Sequence, residues 1–304
     1  MRLSRVKYAL HNTKTKLRKL LAAAEPHWAR LYGRFAPPLE PARIAPVLVL
    51  GNQKTGSSAI AHLLAARGDL RLAANVHPAQ GRERRMARLD ASEMRAFIQN
   101  EARYYFGHAV VKENALTPAT GALLGALPQA RGVFIVRHPA HNIRSILDRL
   151  GLPGTPQPLG TVAADLPAGW RDVVTNGGLR SDDDDDDAPE DHITALARRW
   201  ATLARRYLRH AERLHLARYE DFMADKAGFV RRLADTLDIP FQRDIESLLD
   251  VPFQPRGAHR GAALDQFFST DALRIIDDCC APEMRALRYD RVSANTTLPD
   301  KPAS

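Results

Sequence analysis

The chain has 304 residues, is 45% hydrophobic and 26% charged, and carries a formal net charge of +9. That length fits one large domain or two small ones, and no apolar run approaches the ~20 residues that a bilayer crossing needs. The only cysteines, Cys279 and Cys280, are adjacent, which excludes a disulfide framework and a Cys-rich metal site and favours a reducing, cytoplasmic setting.

The first predicted element is a basic amphipathic helix. Leu3, Leu10 and Leu17 are spaced by seven, as are Val6, Thr13 and Leu20, with Lys and Arg between them. Residues 1–35 hold nine Lys/Arg against the single acid Glu25, so this arm carries +8 of the total and the rest of the chain is close to neutral. Nucleic-acid binding would spread basic residues through the folded domain, so no nucleic-acid partner is expected. The arm has three open uses: packing on its own domain, dimerisation, or contact of residues 1–24 with an anionic membrane at its inner face. Its start, MRLSRVKYAL, lacks the apolar stretch and cleavage site of a secretory signal. The Pro-rich APPLEPARIAP then reads as a linker, closing a first region at residue 45.

From Pro46 the pattern alternates. Strands are predicted at 46–51, 108–113, 131–137 and 214–219, several of them continuous apolar runs of the kind buried on both faces of a parallel sheet. Helices are predicted at 57–67, 91–106, 118–127, 140–150, 192–213, 226–238 and 270–288, the second opened by a capping box from Asp90 and Glu93. This is an α/β pattern, a three-layer fold with a mostly parallel central sheet flanked by helices, spanning 46–290 and followed by a tail at 291–304. Residues 151–190 interrupt it with a Gly/Pro-rich stretch and the run Asp182 to Asp187, read as a flexible lid or insertion. Heavy Ala and Arg usage fits a GC-rich bacterial source.

The informative segment is PVLVLGNQKTGSSAIAHLL, from Pro46 to Leu64. A strand enters a turn bracketed by Gly51 and Gly56, and a helix follows. The spacing is that of a nucleotide phosphate loop, yet Ser57 stands where its Lys belongs and the only Lys, Lys54, lies inside the loop. Successive backbone N–H groups, a helix N-terminus, two hydroxyls and one ammonium make an anion cradle. The strand GVFIVR ends in Arg137 with no Asp at its tip, so the usual metal ligand of ATP chemistry is missing.

At this point the chain resembles the sulfotransferases that use 3′-phosphoadenosine-5′-phosphosulfate (PAPS). Their first signature matches Gln53, Lys54, Thr55, Gly56, Ser57 and Ser58, and by resemblance Lys54 stabilises charge on the leaving phosphate. Their second matches FIVRHPAHNIRSIL, with Arg137 and Ser145 placed to close on one phosphate and His138 where Asp is common. ARYEDF places Tyr219 near the adenine, and FQPRGAHRGAALDQFF resembles the loop that grips the 3′-phosphate, making Arg256, Gly257, Arg260 and Gly261 candidates. The Trp that many relatives stack on adenine is Ala59 here, leaving Phe253, Phe267 or Trp200 for that task.

The resemblance implies PAPS as co-substrate, no metal, and metal-independent in-line transfer of a sulfuryl group to a hydroxyl or amine of a glycan or small molecule. A base is required. Relatives carry it after the first helix, where this chain offers His77 and more distantly Glu83, or in a K-x-H pattern after a strand. Here that pattern reads Lys112, Glu113, Asn114, so Glu113 is the local substitute and Lys112 an electrostatic helper. Two other readings stay open: a kinase with a degenerate phosphate loop, and a non-catalytic anion-binding scaffold held at a membrane.

Overall fold

The computed structural model describes residues 37–176, 189–253 and 263–292, together with Leu179 and most of 24–35. The predicted helix in residues 1–23, the run Asp182 to Asp187, the tail beyond Val292 and the candidates Arg256, Gly257, Arg260 and Gly261 lie outside the described residues.

Five parallel strands form one sheet: β1 (Val47–Gly51), β2 (Leu72–Ala73), β3 (Val110–Lys112), β4 (Arg131–Val136) and β5 (His215–Arg218), in the order β2-β3-β1-β4-β5. Both sets of alternating side chains are apolar because both faces are covered. Val47, Val49, Val133 and Ile135 point into one core, while Leu48, Leu50, Phe134 and Val136 point into the other. The first core is closed by α1 (Ser57–Arg67), through Ile60, Leu63 and Leu64, and later by a helix at Lys226–Thr236, through Phe229, Val230 and Leu233. The second core takes α2 (Ala91–Asn100), α3 (Thr120–Ala126), α4 (Pro139–Leu150), α5 (His192–Leu208) and the C-terminal helix Thr270–Ala286.

The four predicted strands and the α/β class agree with this architecture. β2 was not expected, because a two-residue strand leaves no periodicity to read. The helix expected over 91–106 stops at Asn100 and resumes at Arg103–Phe106. The backbone N–H groups of Glu101 and Ala102 both donate to the Phe97 carbonyl there, turning the chain so that Ala102, Tyr105 and Phe106 are all buried. The Asp90 capping box is formed, with each member donating a backbone N–H to the other's carboxylate at 2.8–2.9 Å. Within 151–176 the chain makes two short helices, Leu159–Ala163 and Ala168–Val174.

The topology creates a crevice. After β1 the chain leaves to the α1 face, and after the adjacent β4 it leaves to the opposite face through α4. Ligands of open α/β sheets sit at such a divergence, at the carboxyl ends of the strands.

Candidate active site

The turn between β1 and α1 depends on two backbone conformations that favour glycine. Gly51 has φ 146°, and a Cβ there would stand 2.4 Å from the Ile135 carbonyl oxygen; Gly56 has φ 89°, and a Cβ would stand 2.4 Å from the Tyr219 ring. Lys54 also lies in the left-handed region at φ 64°, a strained choice for a residue with a side chain. Gly56 provides no side-chain cap for α1, so the first-turn amides of Ser57 onward face outward as an anion site.

A cavity of about 410 Å³ opens above this turn. Gln53, Lys54, Gly56, Ser57 and Ser58 line it, and the sheet and α4 bring Lys112, Arg137, Ser145 and Tyr219 to the same space. Thr55 is buried beneath, its hydroxyl donating to the Asn52 carbonyl at 2.8 Å. Arg137 Nη1 donates to the Lys54 carbonyl at 3.2 Å, and its guanidinium lies 4.7 Å from the centre of the Tyr219 ring. Pro139 begins α4 immediately afterwards, where its missing N–H costs nothing.

The cavity is strongly cationic. Arg144 and Arg149 on α4 and Lys226 also line it, against the acids Asp148 and Asp250. Burial holds the Lys54 ammonium below the usual lysine range, and Arg149 and Arg137 push it further down while Asp148 opposes them. Arg149 stands four residues beyond Ser145 on one helix, a spacing that could have identified it from sequence alone. Lys112 is buried at the end of β3, and burial lowers its pKa with Glu113 acting in the other direction.

Two of the base candidates stand elsewhere. Neither His77 nor Glu113 is among the residues lining the cavity. Glu113 is buried with both carboxylate oxygens engaged: Oε2 receives the Val76 N–H at 2.9 Å and Oε1 the Ala115 N–H at 3.0 Å. Burial pushes its pKa up, while Lys112 and the two amides pull it down. It pins the turn His77–Ala79, where the His77 ring meets the edge of Tyr105 at 6.0 Å. Asn114, which occupies the position of the relatives' His, donates through Nδ2 to the carbonyls of Gly51 (2.7 Å) and Asn52 (2.6 Å) and reaches the Ser57 hydroxyl. It braces the turn.

Beneath the turn lies a buried polar network that motif reading did not find. Arg199 pairs with Glu83 at 2.8 Å, their side chains 0% and 4% exposed. Gln53 joins both, donating to Glu83 at 2.6 Å and accepting from Arg199 at 2.8 Å. Asn52 accepts from Arg199 Nε at 2.9 Å and donates to Asn142, whose own amide returns to the Gln53 carbonyl at 2.7 Å. Glu83 therefore holds the loop from below.

The far wall is apolar. Phe222, Met223, Trp170, Leu249, Val251, Pro252 and Phe253 complete the cavity beside Ala59, interrupted by Asp250, and the Phe253 ring lies tilted against His62 at 4.8 Å. Of the three aromatics proposed for adenine, only Phe253 lines this space. Trp200 is core, donating its Nε1–H to the Arg137 carbonyl at 2.9 Å, and Phe267 packs against the core near Phe268. Among the described residues no group of three His, Cys, Asp or Glu could hold a metal ion, and no helix is long and apolar enough to cross a membrane.

No family model and no curated protein matches this sequence. Solved structures do. Sulfotransferase STF9 from Mycobacterium avium superposes with a TM-score of 0.50 at 14% identity, over 90% of this chain and 82% of that one. STF1 from Mycobacterium tuberculosis H37Rv gives 0.45 at 12% identity, over 83% and 81%, and a sulfotransferase from Alicyclobacillus acidocaldarius 0.44 at 15%, over 83% and 99%. At such identities a likeness speaks of architecture, and it rests on the first of these. The chain has the fold of the sulfotransferases.

Proposed function

We propose that this chain transfers a sulfuryl group from PAPS to a hydroxyl or amine of an acceptor, a glycan or small molecule. The observation that carries the reading is the convergence of Lys54, Arg137 and Arg149 on one cavity, at a helix N-terminus flanked by Ser57 and Ser58, where burial first and the two guanidiniums next hold the Lys54 ammonium down. Such a site is completed by a multiply charged anion, and no metal ion is required to gather the charge. The apolar wall of Phe222, Met223 and Phe253 suits a flat heterocycle.

In the reaction, the acceptor oxygen or nitrogen bonds to sulfur as the bond from sulfur to the 5′-phosphate oxygen breaks. The electron pair leaves on that phosphate, where Lys54 and the α1 amides neutralise it. Arg137 and Ser145 hold the 3′-phosphate, Arg as a paired donor. Lys112, ending β3 at the cavity, supplies positive charge beside the transferring group. Of the two base candidates, His77 is preferred for the acceptor's proton because both Glu113 oxygens already hold backbone amides. Since His77 does not line the cavity, this role requires an acceptor that reaches past the cavity to the His77 turn. His77 rides on the turn that Glu113 anchors, so Glu113 positions it. The second reading, a phosphate-loop kinase, shares the glycine-bracketed turn but finds Ser57 in place of its Lys and Arg137 in place of a metal-binding Asp, and the experiment below separates the two.

The test is a thermal melt with adenosine 3′,5′-bisphosphate in EDTA, beside ATP with Mg²⁺. A ligand at ~100 times its Kd adds roughly 2.7 kcal/mol, raising Tm by about 4 °C for a chain of this size. The expected outcome is stabilisation by the bisphosphate without metal, absent in Lys54→Ala and Arg137→Ala. Stabilisation by ATP–Mg²⁺ alone would overturn the assignment.

A further inference from the structure

Seven large apolar side chains are exposed among the described residues, and four of them, Trp28, Leu31, Tyr32 and Phe35, fall within eight positions ahead of the α/β domain. Residues 24–29, 31, 32 and 35 are helical, so Trp28, Leu31 and Phe35, spaced by three and four, share one face. Trp28 is 64% and Phe35 84% exposed. The opposite face is seated. Ala29 is buried; Tyr32, four residues beyond Trp28 and itself partly exposed, marks the flank where the exposed face meets the domain, with its ring edge-on to Tyr104 at 5.6 Å, and just downstream Gln99 donates to the Leu39 carbonyl at 3.3 Å.

We propose that this aromatic face docks on an anionic phospholipid surface. Charge decides among possible occupants. Residues 1–35 carry nine Lys/Arg and one acid, so a second copy of the chain would bring an equally cationic arm against it and be repelled. An anionic bilayer attracts the same charges, and each Lys/Arg near it adds affinity. Trp, Tyr and Phe are the side chains that settle at the headgroup boundary, where an apolar ring is buried and a polar tip stays wet. The docked face is coupled to the protein interior by packed rings: Tyr32 meets Tyr104, Tyr104 meets Tyr105 at 5.2 Å, and Tyr105 meets His77. The arm therefore seats against the wall that carries the His77 turn.

The experiment is co-sedimentation of the full chain with vesicles of phosphatidylcholine alone and with vesicles containing phosphatidylglycerol as well. The chain should pellet with the anionic vesicles only, and added salt should release it. Trp28→Ser with Phe35→Ser should lower partitioning by about tenfold or more, with an unchanged melting temperature because both side chains are exposed. Equal binding to both vesicle types, no binding to either, or full binding by the double variant would each overturn the proposal. So would a dimer, seen by light scattering, that the double variant dissolves while vesicles leave the chain in solution.

Discussion

The cavity has a floor and a roof built from different materials. Below the turn Gly51–Ser58, the side chains of Asn52, Glu83, Asn114, Asn142 and Arg199 are almost wholly buried and bonded to one another or to the turn's backbone. Opposite, Trp170 stands on a helix of seven residues and Leu249 to Phe253 on irregular chain, all of it half-buried or exposed. On the proposed reading the floor braces the turn that would meet the donor's phosphates, whose charge and geometry are the same in every turnover, and fixed dipoles serve such groups best. The roof offers the proposed heterocycle apolar contacts on short elements, which can adjust to a bound ring at small cost. Rigidity is concentrated where charge must be met.

The floor is broken most severely at Arg199. Replacing it by Met leaves Glu83 buried without its cation, and removing one partner of such a pair costs about 3–5 kcal/mol. Urea denaturation of Arg199→Met should show a loss of that size, and adding Glu83→Gln should recover a large part of it by removing the stranded charge. A loss below about 1 kcal/mol, the value of an exposed pair, would show that the floor is no stiffer than the roof.

The next effect in size is a pH dependence. His138 caps α4 from a buried position, and burial holds its pKa down from 6.5 to about 4, helped by Arg218 and Arg137 and opposed by Asp290. The ring also meets the edges of His141 and Tyr289. Between these values the unfolded chain binds the proton and the folded chain does not. Stability from this group is therefore complete above about pH 6.5 and is lost as pH falls to about 4, an amplitude of about 3 kcal/mol. Glu113 and Asp172, whose folded pKa values are raised, work in the opposite sense over part of the same range. Subtracting the His138→Asn curve from that of the unsubstituted chain isolates the histidine; parallel curves would mean the ring is hydrated in solution.

On the roof the expectations reverse. Phe253 is half-buried and lies tilted against His62, so Phe253→Ala should cost no more than about 1 kcal/mol of stability. It should nevertheless weaken adenosine 3′,5′-bisphosphate by about tenfold, since stacking of a base on an aromatic ring is worth about 1–3 kcal/mol. Calorimetric titration reads the affinity directly. An unchanged Kd would move the heterocycle elsewhere along the wall.

This division also explains what the sequence could convey. Roof and floor differ in how far apart in sequence their partners lie. The strands, α1 and the Asp90 cap are local patterns of apolar residues and capping oxygens, and all were legible. Lys54 with Ser57, and Arg137 with Ser145, were found because each pair rides on one strand-turn-helix unit. Gln53 meets Glu83 and Arg199 across 30 and 146 positions, and no periodicity joins residues so distant. Asn114 was read as a missing base because its side chain was judged by what it lacks; its use is in two carbonyls 62 and 63 residues away. By sequence Glu113 reads as a substitute base for the same reason; what its neighbours 37 and 2 residues away add is that its oxygens accept the Val76 and Ala115 amides.

The smallest effect on stability tests whether the cradle is strained for a purpose. Lys54 holds φ 64°, which costs a residue with a Cβ roughly 1–2 kcal/mol. Lys54→Gly removes that strain and also the repulsion from Arg149 and Arg137, while returning roughly 0.5–1 kcal/mol in chain entropy. The variant should fold at least as stably as the unsubstituted chain. Lys54→Ala keeps the strain and should be less stable than Lys54→Gly by about 1 kcal/mol. Both variants should lose the melting shift given by adenosine 3′,5′-bisphosphate, because the ammonium that balances the anion's charge is gone even though the amides and hydroxyls remain. If Lys54→Gly kept the full shift, the backbone cradle would bind the anion unaided. The left-handed lysine would then serve the chemical step alone, through charge that develops only as the sulfur–oxygen bond breaks.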